Sequence, residues 1–264
     1  FQSGLYWVSA TNSFGCSATS IPVQITVLPN PNAQIITSGP TTFCEGSSVV
    51  LSVNGSGSIL WNTSSVQSSI LVNNSGSYFY TLTNSNGCTS TSSVVSVIVN
   101  QQPNLPSIIG QNTVCEGSQI AFTNAYPGGV WTSSNASVAA VNSFGDVSGL
   151  NVGTAEISYQ VNQNGCVAFV TKNIQVLVAP PANVNISGTT TFCQGGSVTL
   201  SAPLGFAYTW LNTLNPSFTQ PSQAITVQSS GTYQVAVTNS FGCTVNSNLV
   251  PVNVVAFPSI SPIT

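Results

Sequence analysis

The chain has 264 residues and five charged ones, a single Lys or Arg against four Asp or Glu, giving a net charge of −3 with no His and no Met. A surface this poor in cations cannot neutralise phosphates, which excludes nucleic-acid binding and any grip on anionic lipid. Without His, and with the four carboxylates scattered, neither a catalytic centre nor a metal centre assembles, so no catalytic residue, cofactor or metal is expected. Hydrophobic residues still make up 42% of the chain, too many for a disordered polymer, and no apolar run approaches the roughly 20 residues that span a bilayer.

Residues 1–28 open in mid-pattern and read as the C-terminal part of a repeat, so the chain is expected to be a piece of something longer. Ser3-Gly4-Leu5-Tyr6 leads to Thr11-Asn12-Ser13-Phe14-Gly15-Cys16, after which Ile21, Val23, Ile25 and Val27 alternate. A period of two argues strands. Trp7 falls on the opposite parity from Tyr6 and is expected to face outwards or into a junction; Phe14, at a turn tip, shares that ambiguity.

A first whole repeat spans 31–100, after Pro29 and Pro31. Thr41-Thr42-Phe43-Cys44-Glu45-Gly46-Ser47-Ser48-Val49 starts it, Trp61 follows, and Ser75-Gly76-Ser77-Tyr78 runs to Thr83-Asn84-Ser85-Asn86-Gly87-Cys88. Val49, Leu51 and Val53 alternate, as do Tyr78, Tyr80 and Leu82; Phe79 takes the outward parity. The second whole repeat, 103–178, begins after Pro103 and Pro106 and carries Asn112-Thr113-Val114-Cys115-Glu116-Gly117, Trp131 and Asn164-Gly165-Cys166. It is a variant: Ala155 stands where the others have Tyr, and it holds Asp146, Glu156 and Lys172. Glu156 and Lys172 lie about equally far from the Asn164-Gly165 turn, so they are expected to face each other as a cross-strand ion pair; a Lys–Asn isopeptide assisted by Glu156 is the sharper alternative. The third whole repeat, 181–256, follows Pro180 and Pro181 with Thr191-Phe192-Cys193-Gln194-Gly195, Trp210, Ser230-Gly231-Thr232-Tyr233 and Thr238-Asn239-Ser240-Phe241-Gly242-Cys243. Phe241 sits at a turn tip like Phe14. Residues 257–264 start a further repeat.

Short alternating strands, polar turns and one central Trp per repeat describe an all-β chain of tandem immunoglobulin-like antiparallel β-sandwiches in a head-to-tail string. In the usual lettering the Phe-Cys motif lies at the A–B turn, the Trp on strand C, the Tyr run on strand F and the second cysteine at the F–G turn. Trp61, Trp131 and Trp210 are expected in the cores. Pro-bearing joints this short act as stiff spacers, so an extended rod is expected.

Seven cysteines at fixed repeat positions fit disulfides in an oxidising compartment. Two pairings are open. One bond within each repeat would join Cys44–Cys88, Cys115–Cys166 and Cys193–Cys243. Strand B, however, separates the A–B end from the F–G end by about seven residues, or roughly 23 Å, whereas bonded cysteines need Cα atoms within about 7 Å. Neighbouring repeats in a string abut at those ends, which favours Cys44–Cys166 and Cys115–Cys243. Cys16, Cys88 and Cys193 would then pair with repeats beyond or incomplete in this chain.

The combination Thr-Phe-Cys-Glu/Gln-Gly-Ser-Ser-Val, then Trp, then Ser-Gly-Thr/Ser-Tyr and Thr-Asn-Ser-Phe/Asn-Gly-Cys resembles the Ig-like and PKD-like repeats of giant Bacteroidota surface proteins. The resemblance is strongest at 41–52, 75–88, 190–201 and 230–243; residues 138–161 look more like a bacterial Ig-like group 2 module. It implies export by type IX secretion, an extracellular or cell-surface location and a role of the gliding-motility adhesin kind, with no catalytic residue carried over. The expected function is a structural and adhesive repeat region forming a disulfide-stabilised stalk or filament. Its partners are neighbouring repeats, copies of itself packed laterally, or other surface proteins. The alternative is a set of carbohydrate-binding or spacer modules in a large secreted polysaccharide-degrading enzyme, for which Trp7 with Phe79 is the hint.

Overall fold

The computed structural model describes residues 2–259; residues 260–264 of the expected further repeat lie outside them. The described residues form strands and turns without a helix, and divide into two compact units. One takes the chain up to Pro103 together with Asn162–Val167; the other takes Asn104–Val161 and Ala168 onward.

In the first unit, β1 (Gly4–Tyr6), β2 (Ser9–Thr11), β3 (Ser17–Thr19) and β4 (Val23–Ile25) make two small antiparallel pairs, β1 with β4 and β2 with β3. A sandwich follows. One sheet holds β5 (Gln34–Thr37), β7 (Val49–Asn54) and β9 (Ser69–Val72) in the order β5-β7-β9. The opposite layer holds β6 (Thr42–Cys44), β8 (Ser58–Trp61), β10 (Gly76–Tyr78), β11 (Tyr80–Thr83), β12 (Thr89–Thr91) and β13 (Val95–Asn100), ordered β10-β13-β6 and β12-β11-β8. Alternation explains the layers. Val49 and Leu51 of β7 and Tyr80 and Leu82 of β11 point into one core around Trp61, while the residues between them face out. The Trp61 ring packs 5.2 Å from that of Tyr80, and its Nε1 donates to Gln67 O.

In the second unit, β14 (Thr113–Cys115), β16 (Val130–Ser133), β19 (Gly153–Gln163) and β20 (Cys166–Leu177) form the sheet β14-β20-β19-β16. The sheet β15-β18-β17 is built from β15 (Gln119–Ala121), β17 (Ala139–Val141) and β18 (Asp146–Gly149). The last sandwich has one sheet of β21 (Asn185–Ser187), β23 (Val198–Ser201) and β26 (Ala224–Val227), ordered β21-β23-β26. The other runs β22-β29-β27-β24-β25, from β22 (Thr191–Cys193), β24 (Ala207–Asn212), β25 (Asn215–Gln220), β27 (Gly231–Thr238) and β29 (Val250–Val255), with β28 (Thr244–Asn246) on β27. Each sandwich thus has a Phe-Cys or Val-Cys strand parallel to its last strand: β6 on β13, β14 on β20 and β22 on β29. This is the layout of an immunoglobulin-like sandwich whose first strand is shared between the two sheets, and the chain is an array of such domains.

A serine explains why the last strand is broken in most copies. Four residues after the turn cysteine, Ser92 and Ser247 are buried, accept the N–H of Tyr80 and Val235, and donate to Ser93 O and Asn248 O. Ser20 accepts Val8 N in the same way. A side chain substituting for the ladder interrupts pairing there. Val170 occupies this position in the variant repeat, and its last strand, β20, runs unbroken for 12 residues.

Two expectations need correction. Lys172 does not face Glu156. Its Nζ donates to Gly110 O at 2.6 Å and Ile108 O at 3.4 Å and lies 5.5 Å from the centroid of the Phe122 ring. Lys172 shares parity with inward Ile174 and Val176, whereas exposed Glu156 sits between buried Ala155 and Ile157, so the two side chains leave opposite faces of the sheet. The same parity removes the isopeptide alternative. Second, Trp131 is half-buried, with the fully buried Phe122 at 6.5 Å and Tyr159 at 4.6 Å; Phe122 fills the centre that Trp61 and Trp210 fill elsewhere.

Candidate functional site: cysteine turns and their seats

Two recurrent local structures carry the cysteines. The first is a seat. Cys44, Cys115 and Cys193 end the parallel strands β6, β14 and β22, beside Asn100, Leu177 and Val255. The next residue then donates its N–H across that end: Glu45 to Asn100 O, Glu116 to Leu177 O and Gln194 to Val255 O, at 2.8–2.9 Å. The chain turns back at once, through Ser47 N to Cys44 O, Ser118 N to Cys115 O and Gly196 N to Cys193 O. Gly46, Gly117 and Gly195 hold φ of 90°, 79° and 91°, the left-handed region that a residue with a Cβ enters at a cost.

The second is a turn. Asn12, Asn84 and Asn239 each open a five-residue loop that ends in Cys16, Cys88 or Cys243. The Asn Oδ1 accepts two backbone N–H groups at 2.9–3.0 Å, from Phe14 and Cys16, from Asn86 and Cys88, and from Phe241 and Cys243. Such an Asn side chain imitates a backbone turn and presets the loop. Asn142-Ser143-Phe144-Gly145-Asp146 builds the same loop without a cysteine, on Asn142 Oδ1. The variant repeat instead uses a two-residue hairpin turn, Asn164 and Gly165 at φ 52° and 85°.

The structure bonds Cys44 to Cys166 and Cys115 to Cys243, with Cα atoms 5.6 and 5.7 Å apart and sequence separations of 122 and 128. Cys166 and Cys243 are fully buried. Cys16, Cys88 and Cys193 are free thiols. Bonds within a repeat fail on distance: β20 starts at Cys166 and ends at Leu177, beside Cys115, which places the two cysteines roughly 36 Å apart along it. The same holds for Cys88, ahead of β12, and Cys44, beside the end of β13.

Each bonded or docked turn also carries one carboxamide contact. Asn239 Nδ2 donates to Val178 O at 2.8 Å, Asn84 Nδ2 to Pro29 O at 3.2 Å, and Asn100 Nδ2 to Asn164 O at 3.0 Å. Sequence reasoning missed these. Asn84 and Asn239 lie in turns and Asn100 ends β13, but their acceptors lie 55 to 64 residues away. A shallow cleft beside the second disulfide is lined by Gln111, Ser118, Ile120, Leu177, Phe241 and Gly242, among others.

The four aromatics singled out differ in exposure. Trp7, Phe14 and Phe241 are exposed, at 60%, 91% and 63%. Phe79 is half-buried in the gap between β10 and β11. Its backbone is clamped there by Asn62, which accepts Phe79 N on Oδ1 and donates from its own N–H to Phe79 O and from Nδ2 to Ser77 O. Among the described residues, no group of three or more His, Cys, Asp or Glu comes together, and no helix is long and apolar enough to cross a membrane.

No protein-family model matches the chain, and no curated protein does either. Solved structures that match include Ig-domain fragments of Dscam. Drosophila OTK extracellular domains 3–5 is 13% identical, covers 88% of this chain and 97% of that one, and gives a TM-score of 0.31. Murine CEACAM1b is 14% identical over 86% and 100% of the two chains, at 0.24. The N-terminal four Ig domains of Dscam1 isoform 6.9 are 12% identical over 97% and 80%, at 0.22. Scores and identities this low carry no functional argument, and the immunoglobulin-like architecture stands on the strand order itself.

Proposed function

We propose that the chain is a structural, adhesive repeat region of a large extracellular surface protein: a stalk whose successive sandwiches are stapled to one another. The observation that carries this is the pairing of seat and turn. Each of the two disulfides joins a seat cysteine to a turn cysteine outside its own sandwich. A bond of that kind closes no loop within a single sandwich and restrains the place where one domain follows another. The Pro-bearing linkers, Pro29 to Pro31, Pro103 to Pro106 and Pro180 to Pro181, supply stiffness at the same points. With five charges in the whole chain, few surface groups are screened by salt, which suits an exposed structural element. The motif resemblance assigns this stalk to the Bacteroidota surface adhesins, and its partners are neighbouring repeats, other copies or other surface proteins.

The test has two parts. Non-reducing peptide mapping of the air-oxidised chain should recover Cys44–Cys166 and Cys115–Cys243 peptides; recovery of Cys44–Cys88 in their place would end the stapling reading. Small-angle scattering should give a radius of gyration far above the roughly 18 Å of a compact globule of this length. A value near 18 Å would end the stalk reading.

A further inference from the structure

The three long-range carboxamide contacts form a pattern that disulfides alone do not explain. Pro29 and Val178 are equivalent positions. Val178 follows Leu177, the residue beside the seat cysteine of its sandwich. Pro29 follows Leu28, which has the same place relative to the β1–β4 pairing that Val255, beside Cys193, has relative to the β27–β29 pairing. Asn84 and Asn239 are likewise equivalent, each holding its own turn through Oδ1 and leaving Nδ2 to reach out. In the variant repeat the turn lacks that asparagine geometry, and the contact is made from the other side by Asn100. The direction changes while the contact persists.

The Asn84 contact is closed although Cys88 is a free thiol. Docking of the turn therefore does not require a disulfide. Asn12 makes the same Oδ1 bonds within its turn and, among the described residues, no Nδ2 bond.

We propose that this carboxamide is a docking latch. At Asn84 and Asn239 it recognises the backbone carbonyl at this one position of the preceding repeat, Pro29 or Val178, seats the cysteine turn there, and so sets the two thiols within bonding range before they are oxidised. The inference rests on the stapling reading above. The lock itself is ordinary exchange. One thiolate attacks oxidised glutathione and expels a glutathione thiolate. The second thiolate then attacks the mixed disulfide and expels the other, so two cysteine thiols are oxidised as one disulfide is reduced, and the two thiol protons end, through solvent, on the two glutathione thiolates.

The latch is tested on the full 264-residue chain in glutathione redox buffers, with each disulfide quantified by thiol trapping and mass spectrometry. Asn239→Asp keeps the Oδ1 acceptor that the turn needs and removes the Nδ2 donor. Asn239→Ser removes the carboxamide without a charge and leaves a shorter hydroxyl that can still accept within the turn. Both should lower the oxidised-to-reduced ratio of Cys115–Cys243 about fivefold, the equilibrium worth of one neutral hydrogen bond, and slow its formation. Cys44–Cys166 in the same molecules, and both disulfides in Asn12→Asp, should be unchanged. If the wild-type chain yields no Cys115–Cys243 peptide, the stapling reading fails. If it does and the ratio stays at the wild-type value in both variants, the latch alone is wrong.

Discussion

Removing the second disulfide measures how much the staple contributes. The double substitution Cys115→Ala with Cys243→Ala is the suitable perturbation. Alanine avoids leaving a hydroxyl without a partner at the fully buried Cys243 position, which would add about 1–3 kcal/mol of its own. The bond closes a loop with a separation of 128 residues, and chain-entropy arguments give about 5 kcal/mol for a loop of that length. If only the sandwich before the joint unfolds, the effective loop is about half as long, and the figure falls to roughly 4 kcal/mol because the dependence is logarithmic. Urea unfolding followed by tryptophan emission should therefore show a large fall in midpoint for the second unit, which contains Trp131 and Trp210. The transition reporting Trp61 should keep its midpoint. A shift equivalent to less than about 1 kcal/mol would refute the reasoning, because the crosslink would then be constraining an ensemble that is already constrained.

Ser247→Ala should lower stability by about 1–3 kcal/mol, since Val235 N–H loses its acceptor in a buried setting; a thermal melt reads this directly. Lys172→Met should cost about 1.5–3 kcal/mol through two carbonyl acceptors left without their charged donor, while Glu156→Gln should be neutral in the same denaturant series. An equal effect from the two would restore the ion pair. Gly242→Ala, at φ 85° with open space around the Cβ position, should cost about 1–2 kcal/mol by strain alone; an unchanged melting temperature would show that the turn relaxes.

Much of the fold is legible because period-two alternation is dense. Tyr233, Val235 and Val237 on one strand, and Val250 and Val252 on its partner, mark a buried face without ambiguity. The Glu156–Lys172 expectation failed on a single residue of register: equal distance from a turn does not guarantee equal parity, and a slip of one moves a side chain through the sheet. Trp131 occupies the same motif position as Trp61 and Trp210, yet Phe122 fills the core beside it, a choice made by packing volume that spacing does not encode. The strand break at Ser92 and Ser247 was readable as a serine four residues past each turn cysteine, with Val170 as the exception. The carboxamide contacts were not, because a donor's partner at a separation of 61 residues has no local signature. For the cysteines, spacing admits two pairings, and the decision depends on which end of a sandwich each one occupies.

The wide spacing of bonded partners sets an order of events during folding from the N-terminus. A chain emerging from its N-terminus presents Cys16, then Cys44, Cys88 and Cys115, before Cys166 appears. The wrong partner is therefore available first and is closer along the polymer. Once β12 and β13 have formed, Cys88 and Cys44 stand at opposite ends of them, and that mispairing is no longer reachable. Tertiary structure acts here as the proofreader of its own covalent chemistry. Each sandwich must finish folding before its thiols meet an oxidant, so a rapid oxidant would trap scrambled chains that a slow one would avoid.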